Sequence, residues 1–411
     1  MIFKQKFVVL IFCMFIIMFA KAQKTMPWKL INPSKLNSKT VDSTINVLQN
    51  SKALENVFAK LYQLKNQSSG QQVVFTHIGD SHLQADKISS VVRTEFQNYF
   101  GNAGRGLVFP FKIAKTNGTS DVVSNSPEIW QSSRLSKLNA AVNCGIAAHG
   151  IKTEQPTAEI FIELKDSLIN NFDQLTLFYS KKMATILFES ALFNTKIKVD
   201  STSQFTSITL PKLTAKFKLQ FTANQNNAIE FFGVSASKKN TSGILYHAIG
   251  ANGAKLSDYN KAPVFWNQLP ELQTDCYLLS LGTNEAQNQN LTAEAYTVEL
   301  ATMIENLKAA SPNAAIIVLS PPVSYYKKVK PNKILGVIAS AISNYCFKNN
   351  IAFYDLYAAN RGVRGTLAWR KLKLLNTDLV HFTNAGYFLQ GTLLTEVFAN
   401  AYNNYIAEKN F

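Results

Sequence analysis

The feature that most constrains this 411-residue chain is the regular alternation of short apolar runs and helical stretches in its last third. Cys276 to Leu281 (CYLLSL), Ala315 to Ser320 (AIIVLS) and Ile351 to Leu356 (IAFYDL) are too short for buried helices and read as buried strands. Ala293 to Ala309 and Lys333 to Lys348 read as helices between them. Thr383 to Glu408 reads as a closing helix whose start Thr383 can cap. Strands of this kind, joined by helices, predict an α/β fold with a parallel sheet covered on both faces. Far upstream, Gln72 to Ile78 (QVVFTHI) is a further β-branched run. It ends in the turn-prone Gly79-Asp80-Ser81, with helix-like sequence after it, and so reads as strand, tight loop, helix.

Between these two parts the character changes. Ala158 to Leu164, Gln174 to Tyr179, Thr185 to Phe188, Lys216 to Phe221 and Ala228 to Val234 are short apolar runs separated by polar Asn, Ser, Thr and Lys stretches. That spacing predicts an antiparallel β-sandwich. The expected organisation is an α/β domain in two pieces, residues 40–105 and 243–411, with a β-sandwich inserted at 106–242.

The first 22 residues combine Lys4 and Lys6, an apolar stretch from Phe7 to Ala20 and an Ala20-Lys21-Ala22 exit, the pattern of a secretory signal peptide. Export to the periplasm or the extracellular space is expected, with no transmembrane anchor after cleavage. Removing Lys4, Lys6 and Lys21 lowers the formal charge from +16 to +13, which suits a polyanionic envelope polymer as partner. Nucleic acid is not expected, because the basic residues form no block and no zinc-finger, RNP-like or helix-turn-helix pattern is present. Cys144, Cys276 and Cys346 lack metal-ligand spacing, and their odd number argues against a disulfide framework.

A serine becomes a competent nucleophile when a neighbouring base takes its proton, and a sharp turn at a strand's carboxyl end exposes it. Ser81 has that context, although Gly79-Asp80-Ser81-His82 is not the G-x-S-x-G elbow of ordinary α/β-hydrolases. Of five histidines, His381 is the one that follows an aspartate at three-residue spacing in a loop ahead of the last helix, in Asp378-Leu379-Val380-His381. Asp378 can hold His381 in the tautomer a general base needs. Gly253, or its neighbour Gly250, offers an unobstructed backbone N–H for an oxyanion, and Asn284 and the Ser81 N–H offer further donors. No metal is expected: His77 and His82 bracket Asp80 and Ser81, but no third or fourth ligand accompanies them.

Gly79-Asp80-Ser81, then Gly253, then Gly282-Thr283-Asn284, then Asp378 to His381 resemble, in order, the four motif blocks of the GDSL/SGNH hydrolases. More narrowly, GDSH for GDSL, the β-insert, Asn252-Gly253-Ala254 and the late Asp-x-x-His-Phe-Thr are similar to peptidoglycan O-acetylesterases. The resemblance implies a flavodoxin-like three-layer domain and a triad of Ser81, Asp378 and His381. It implies an oxyanion hole of Ser81, Gly253 and Asn284, no cofactor, an acetylated carbohydrate as substrate and a carbohydrate-binding-like insert. Glu285 departs from the aspartate usual after the block asparagine. His82 is expected to shape the pocket and Arg105 to be a substrate contact, while His149 and His247 are expected to be structural. Trp130, Phe178 and Tyr179 are either sugar-stacking or core residues. An acetyltransferase with the same triad and an inactive glycan-binding protein are the rival readings. Acceptor-dependent product formation distinguishes the first, and sugar binding without turnover the second.

Overall fold

The computed structural model describes residues 26–33, 37–66, 70–181, 183–199, 202–224 and 228–409; the signal-like segment 1–22 lies outside them. A six-stranded sheet forms the centre. Its spatial order is Leu48–Gln49, Ala352–Tyr354, Ala315–Leu319, Cys276–Ser280, Gln72–Gly79 and Gly243–Gly250. All neighbours are parallel except the antiparallel edge pair Leu48–Gln49 and Ala352–Tyr354. Numbered along the chain, the five parallel strands lie in the order 2-1-3-4-5. The strand Gln72–Gly79 therefore sits at the switch point where ligands meet such sheets.

Side-chain alternation divides the sheet between two cores. Phe75, Leu278 and Ile317 pack with Phe58, Phe96 and Phe398 of the helices Glu55–Asn66, Lys87–Phe100 and Asn384–Lys409. Tyr277, Leu279 and Val318 point the other way, against Leu300 and Met303 of Ala293–Ala310 and Ile338 and Ile342 of Ile334–Lys348. The three helices read from the sequence form within one residue of their expected bounds, and the Thr383 Oγ1 accepts the Gly386 N–H at 3.3 Å as a cap.

Residues 106–237 form two antiparallel sheets. One orders Asn194–Lys198, Met183–Glu189, Lys216–Ala223, Thr157–Leu164 and Val122–Asn125; the other orders Phe205–Thr214, Phe172–Tyr179, Ile229–Ser237, His149–Thr153 and Gln131–Arg134. Gly106–Val108 pairs with Ile229–Ser237 as well. Ile160, Ile162, Leu219 and Phe221 share one buried cluster with Leu175, Leu177 and Phe231, and the Phe221 and Phe231 rings lie 5.3 Å apart. Among the described residues, six strands of this region escaped sequence reading, among them Gln131–Arg134 and Asn194–Lys198. Their polar residues carry little apolar signal, and partner strands supply their order. Trp130, Phe178 and Tyr179 are all buried, which settles them as core rather than sugar-facing rings.

Among the described residues no helix is long and apolar enough to cross a membrane. Cys144, Cys276 and Cys346 are buried free thiols.

Candidate active site

Ser81 begins the short helix Ser81–Gln84 directly beyond the carboxyl end of Gln72–Gly79. The turn is held by Asp80, whose carboxylate accepts the His82 N–H at 3.0 Å. Asp378 and His381 sit on the loop before the last helix, with His381 300 residues away in sequence from Ser81, yet the three form one chain of hydrogen bonds. His381 Nε2 lies 2.8 Å from Ser81 Oγ, and His381 Nδ1 lies 2.9 Å from Asp378 Oδ2. The other carboxylate oxygen of Asp378 accepts the N–H groups of Val380 and His381 at 2.9 and 2.8 Å. Leu379 takes a left-handed conformation, φ 59°, so that the loop folds back over the carboxylate. Burial acts to raise the Asp378 pKa, but the two amides and the imidazole outweigh it and hold the carboxyl below its ordinary value. An ionised Asp378 opposite Nδ1 leaves Nε2 facing the serine as proton acceptor.

The donor side is assembled from two loops. Gly253 has φ +81°, a conformation glycine adopts without cost, and an added Cβ would come no nearer than 3.4 Å to Ser136. Gly250, by contrast, packs on the Ser81 turn: a Cβ there would stand 2.7 Å from the Asp80 carbonyl oxygen. Gly250 is thus a close-packing glycine, and Gly253 is the one in an open loop. Asn284 donates through Nδ2 to the Ala254 carbonyl at 2.9 Å and to Asp80 Oδ2 at 3.3 Å. The amide therefore ties the Gly253 loop to the residue before Ser81. Its longer bond is the weaker one, so that hydrogen is the one an arriving oxyanion can draw away.

Two buried carboxyls lie behind these loops. Burial raises Asp80 to about 6 and Glu285 to about 7; nearby donors resist both only partly, and the Asp80 charge pushes Glu285 up further. Glu285 Oε1 accepts the Leu256 N–H at 2.8 Å.

His82 is buried, with Nδ1 3.2 Å from the Tyr387 hydroxyl and its ring centroid 5.3 Å from that of His381. Burial lowers its pKa to about 3, so it packs beside the triad as a neutral ring. Arg105 requires a correction. It is 2% exposed and locked in ion pairs with Asp86 at 2.8 Å and with Asp121. An arginine enclosed in this way holds the start of the helix Lys87–Phe100 to the loop around Asp121 and has no surface to offer a substrate. His77 bonds Tyr246 and Ser280 hydroxyls inside the sheet, and His149 and His247 are buried, each with its pKa lowered by burial. Among the described residues no three His, Cys, Asp or Glu side chains converge to hold a metal.

Sequence reading missed the contribution of the loops of the antiparallel β region. Gln84 Oε1 accepts the Asn252 N–H at 2.6 Å, while its Nε2 donates to the Asn117 carbonyl at 2.7 Å. The Ser136 hydroxyl donates to the Asn252 carbonyl. Thr116, Asn117 and Ser136 therefore wall the Gly253 loop. Their residue types are those of any polar loop, and only proximity distinguishes them.

A 2-1-3-4-5 sheet with a linked serine, histidine and aspartate at its carboxyl edge resembles the scaffold of SGNH-type hydrolases. Residues 222–389 match the GDSL-like lipase/acylhydrolase family, which bears out the resemblance on the motif blocks around Gly253, Asn284 and His381. The match begins in the antiparallel β region and leaves out Ser81, which the parallel pairing of Gln72–Gly79 with Gly243–Gly250 and Cys276–Ser280 brings to it. The overall fold is that of a solved structure described as a peptidoglycan O-acetylesterase in action, at 20% identity, TM-score 0.74, over 87% of this chain and 99% of that one. A lipase/acylhydrolase from Enterococcus faecalis overlaps 38% of this chain and 77% of its own at 20% identity and TM-score 0.31. A catalytic mutant of an acetylxylan esterase from Geobacillus stearothermophilus overlaps 39% and 73% at 16% identity and TM-score 0.29. No curated protein matches by sequence.

Proposed function

We propose that the protein is an exported serine esterase that removes O-acetyl groups from cell-envelope carbohydrate, with peptidoglycan the favoured polymer. The observation that carries this reading is the unbroken path from Ser81 Oγ through His381 to Asp378, at 2.8 and 2.9 Å. His381 Nε2 takes the serine proton as Oγ attacks the acetyl carbonyl, and Asp378 stabilises the imidazolium that results. The Ser81 and Gly253 N–H groups make no hydrogen bond to protein among the described residues, and with Asn284 Nδ2 they supply the oxyanion donors. Collapse of the tetrahedral adduct expels the sugar hydroxyl, protonated by His381, and water then releases acetate by the same steps.

The substrate class draws support from the openness of the site. His381 and Asp378 side chains are 36% and 40% exposed, so a polymer can reach the triad without entering a tunnel. The likeness of fold to a peptidoglycan O-acetylesterase points the same way. In this reading residues 1–22 are a signal peptide, and residues 106–242 are a carbohydrate-binding-like β-sandwich inserted between the domain pieces 40–105 and 243–411. The test is acetate release from O-acetylated peptidoglycan and from acetylated xylan by the mature protein and its Ser81→Ala variant. Release that depends on Ser81 supports the esterase; no release from either polymer or from a small acetyl ester overturns it.

A further inference from the structure

The stretch from Tyr325 to Thr377 holds ten Lys and Arg residues against one carboxylate, Asp355. Asp355 is committed to capping a helix, where it accepts the Ala358 N–H at 3.0 Å and the Ser320 hydroxyl at 2.8 Å. Two parts of this stretch meet at the triad loop. The first is a hairpin, Tyr325–Tyr326 paired with Lys330–Pro331, which exposes Lys327, Lys328 and Lys330. The second is the end of the helix Gly362–Lys371 and the turn after it, which exposes Arg370, Lys371 and Lys373.

Both parts are bonded directly to the segment that carries Asp378 and His381. The Tyr325 N–H donates to the Leu379 carbonyl at 2.9 Å, and the Thr383 hydroxyl donates to the Lys373 carbonyl at 3.1 Å. The Arg370 guanidinium lies over the Tyr325 ring at 5.4 Å and closes the gap between the two. Among the described residues, none of these six cations has a carboxylate within 4.0 Å. Unpaired like charges this close repel one another and lower stability, so their clustering is a cost that a counter-charge from outside would relieve.

We propose that this basic rim is a docking track for a polyanionic glycan, a polysaccharide strand bearing carboxylates or phosphates, and that it holds such a strand while Ser81 acts on an acetyl group further along. The inference rests on the esterase reading and narrows its substrate to acidic polymers. A glycan fits better than a membrane surface. Of the aromatic side chains that anchor proteins at bilayer interfaces, Trp369 and Tyr325 are buried here and the half-buried Tyr326 ring is covered by Lys327 and Lys330 at 5.4 and 5.9 Å, and the cations outnumber the exposed apolar residues Val329, Leu367 and Leu372 two to one. A strand lying on the rim also runs past His381, whereas a bilayer meeting the same residues brings no ester to the serine.

The experiment compares the native protein with a Lys327→Ser/Lys328→Ser/Lys330→Ser variant whose melting temperature is checked first. Acetate release is measured on O-acetylated peptidoglycan, which carries carboxylates, and on uncharged acetylated xylan. The ratio of the two rates should fall on the order of tenfold in the variant, and 0.5 M NaCl should lower the same ratio in the native protein while changing it little in the variant. An unchanged ratio, or equal losses on both polymers, overturns the proposal. If the native protein hydrolyses nothing, the esterase reading fails and the rim is judged by co-sedimentation of the Ser81→Ala protein with insoluble peptidoglycan. Salt-sensitive binding that the three substitutions abolish upholds the rim alone. Binding instead to phosphatidylglycerol-containing vesicles and not to peptidoglycan overturns it in favour of a membrane surface.

Discussion

Glu285 and Leu256 are joined by a 2.8 Å hydrogen bond from the Leu256 N–H to Glu285 Oε1, and that bond ties the loop after Gly253 to the loop of Asn284. Both proposed oxyanion donors outside Ser81 thus depend on one buried carboxyl. Burial raises that carboxyl to about 7, so it is neutral over much of the range in which the unfolded chain would already have ionised it. The unfolded state then binds fewer protons than the folded one, and stability falls as pH rises from about 4.5 to about 7. Glu285→Gln mimics the neutral form and removes this dependence. Thermal melts at pH 5 and pH 8 should show the variant close to native at pH 5 and more stable than native at pH 8, with a difference on the order of 1–3 kcal/mol. Equal stability differences at both pH values would count against a raised Glu285.

Asp378→Asn retains the shape of the loop, since an amide oxygen can still accept the Val380 and His381 N–H groups. It loses the charge that sets the His381 tautomer. Turnover of a small acetyl ester should fall by about 10³ to 10⁴ with little change in melting temperature. A loss below tenfold would remove Asp378 from the triad.

Arg105→Met leaves Asp86 and Asp121 facing each other without their shared cation, while Arg93 still pairs with Asp86 at 2.6 Å. Breaking a buried pair from one side costs about 3–5 kcal/mol, and urea unfolding should show a loss of that size. Variant protein that folds with native stability but binds substrate poorly would restore Arg105 as a substrate contact.

Gly253→Ala and Gly250→Ala should separate catalysis from folding. At Gly253 the added methyl has space but the backbone conformation is strained, by about 1–2 kcal/mol, and relief of that strain reorients the N–H. Soluble protein with kcat lowered at least tenfold is expected. At Gly250 the methyl would press into the backbone of the Ser81 turn, so low soluble yield is expected instead. The opposite pairing of outcomes would exchange their roles.

Much of the α/β part was legible in the residues themselves. Strands such as Cys276–Ser280 are apolar on both faces because both faces are covered, and helices such as Ala293–Ala310 keep their apolar side toward the sheet. The four motif blocks were legible for a related reason: each stands at a strand end or loop where the chemistry restricts residue type. The strand Gly243–Gly250 is less legible, since its glycines and its buried His247 weaken the apolar signal that parallel pairing on Gln72–Gly79 makes good.

The sequence by itself determined the alternation that makes a parallel sheet, the candidates Ser81, Asp378 and His381, and the presence of a second, antiparallel region. Local pattern suffices there, because periodicity and turn chemistry act over a few residues. Only the tertiary structure decided that Arg105 is enclosed by Asp86 and Asp121, that Gly250 packs while Gly253 stays open, and that Thr116, Asn117 and Ser136 of the antiparallel β region line the Gly253 loop. It also decided that the lysines of one hairpin and the basic end of one helix meet beside His381. Each of these rests on contacts between residues far apart in the chain, and burial, charge pairing and close approach exist only once the strands between them have found their register.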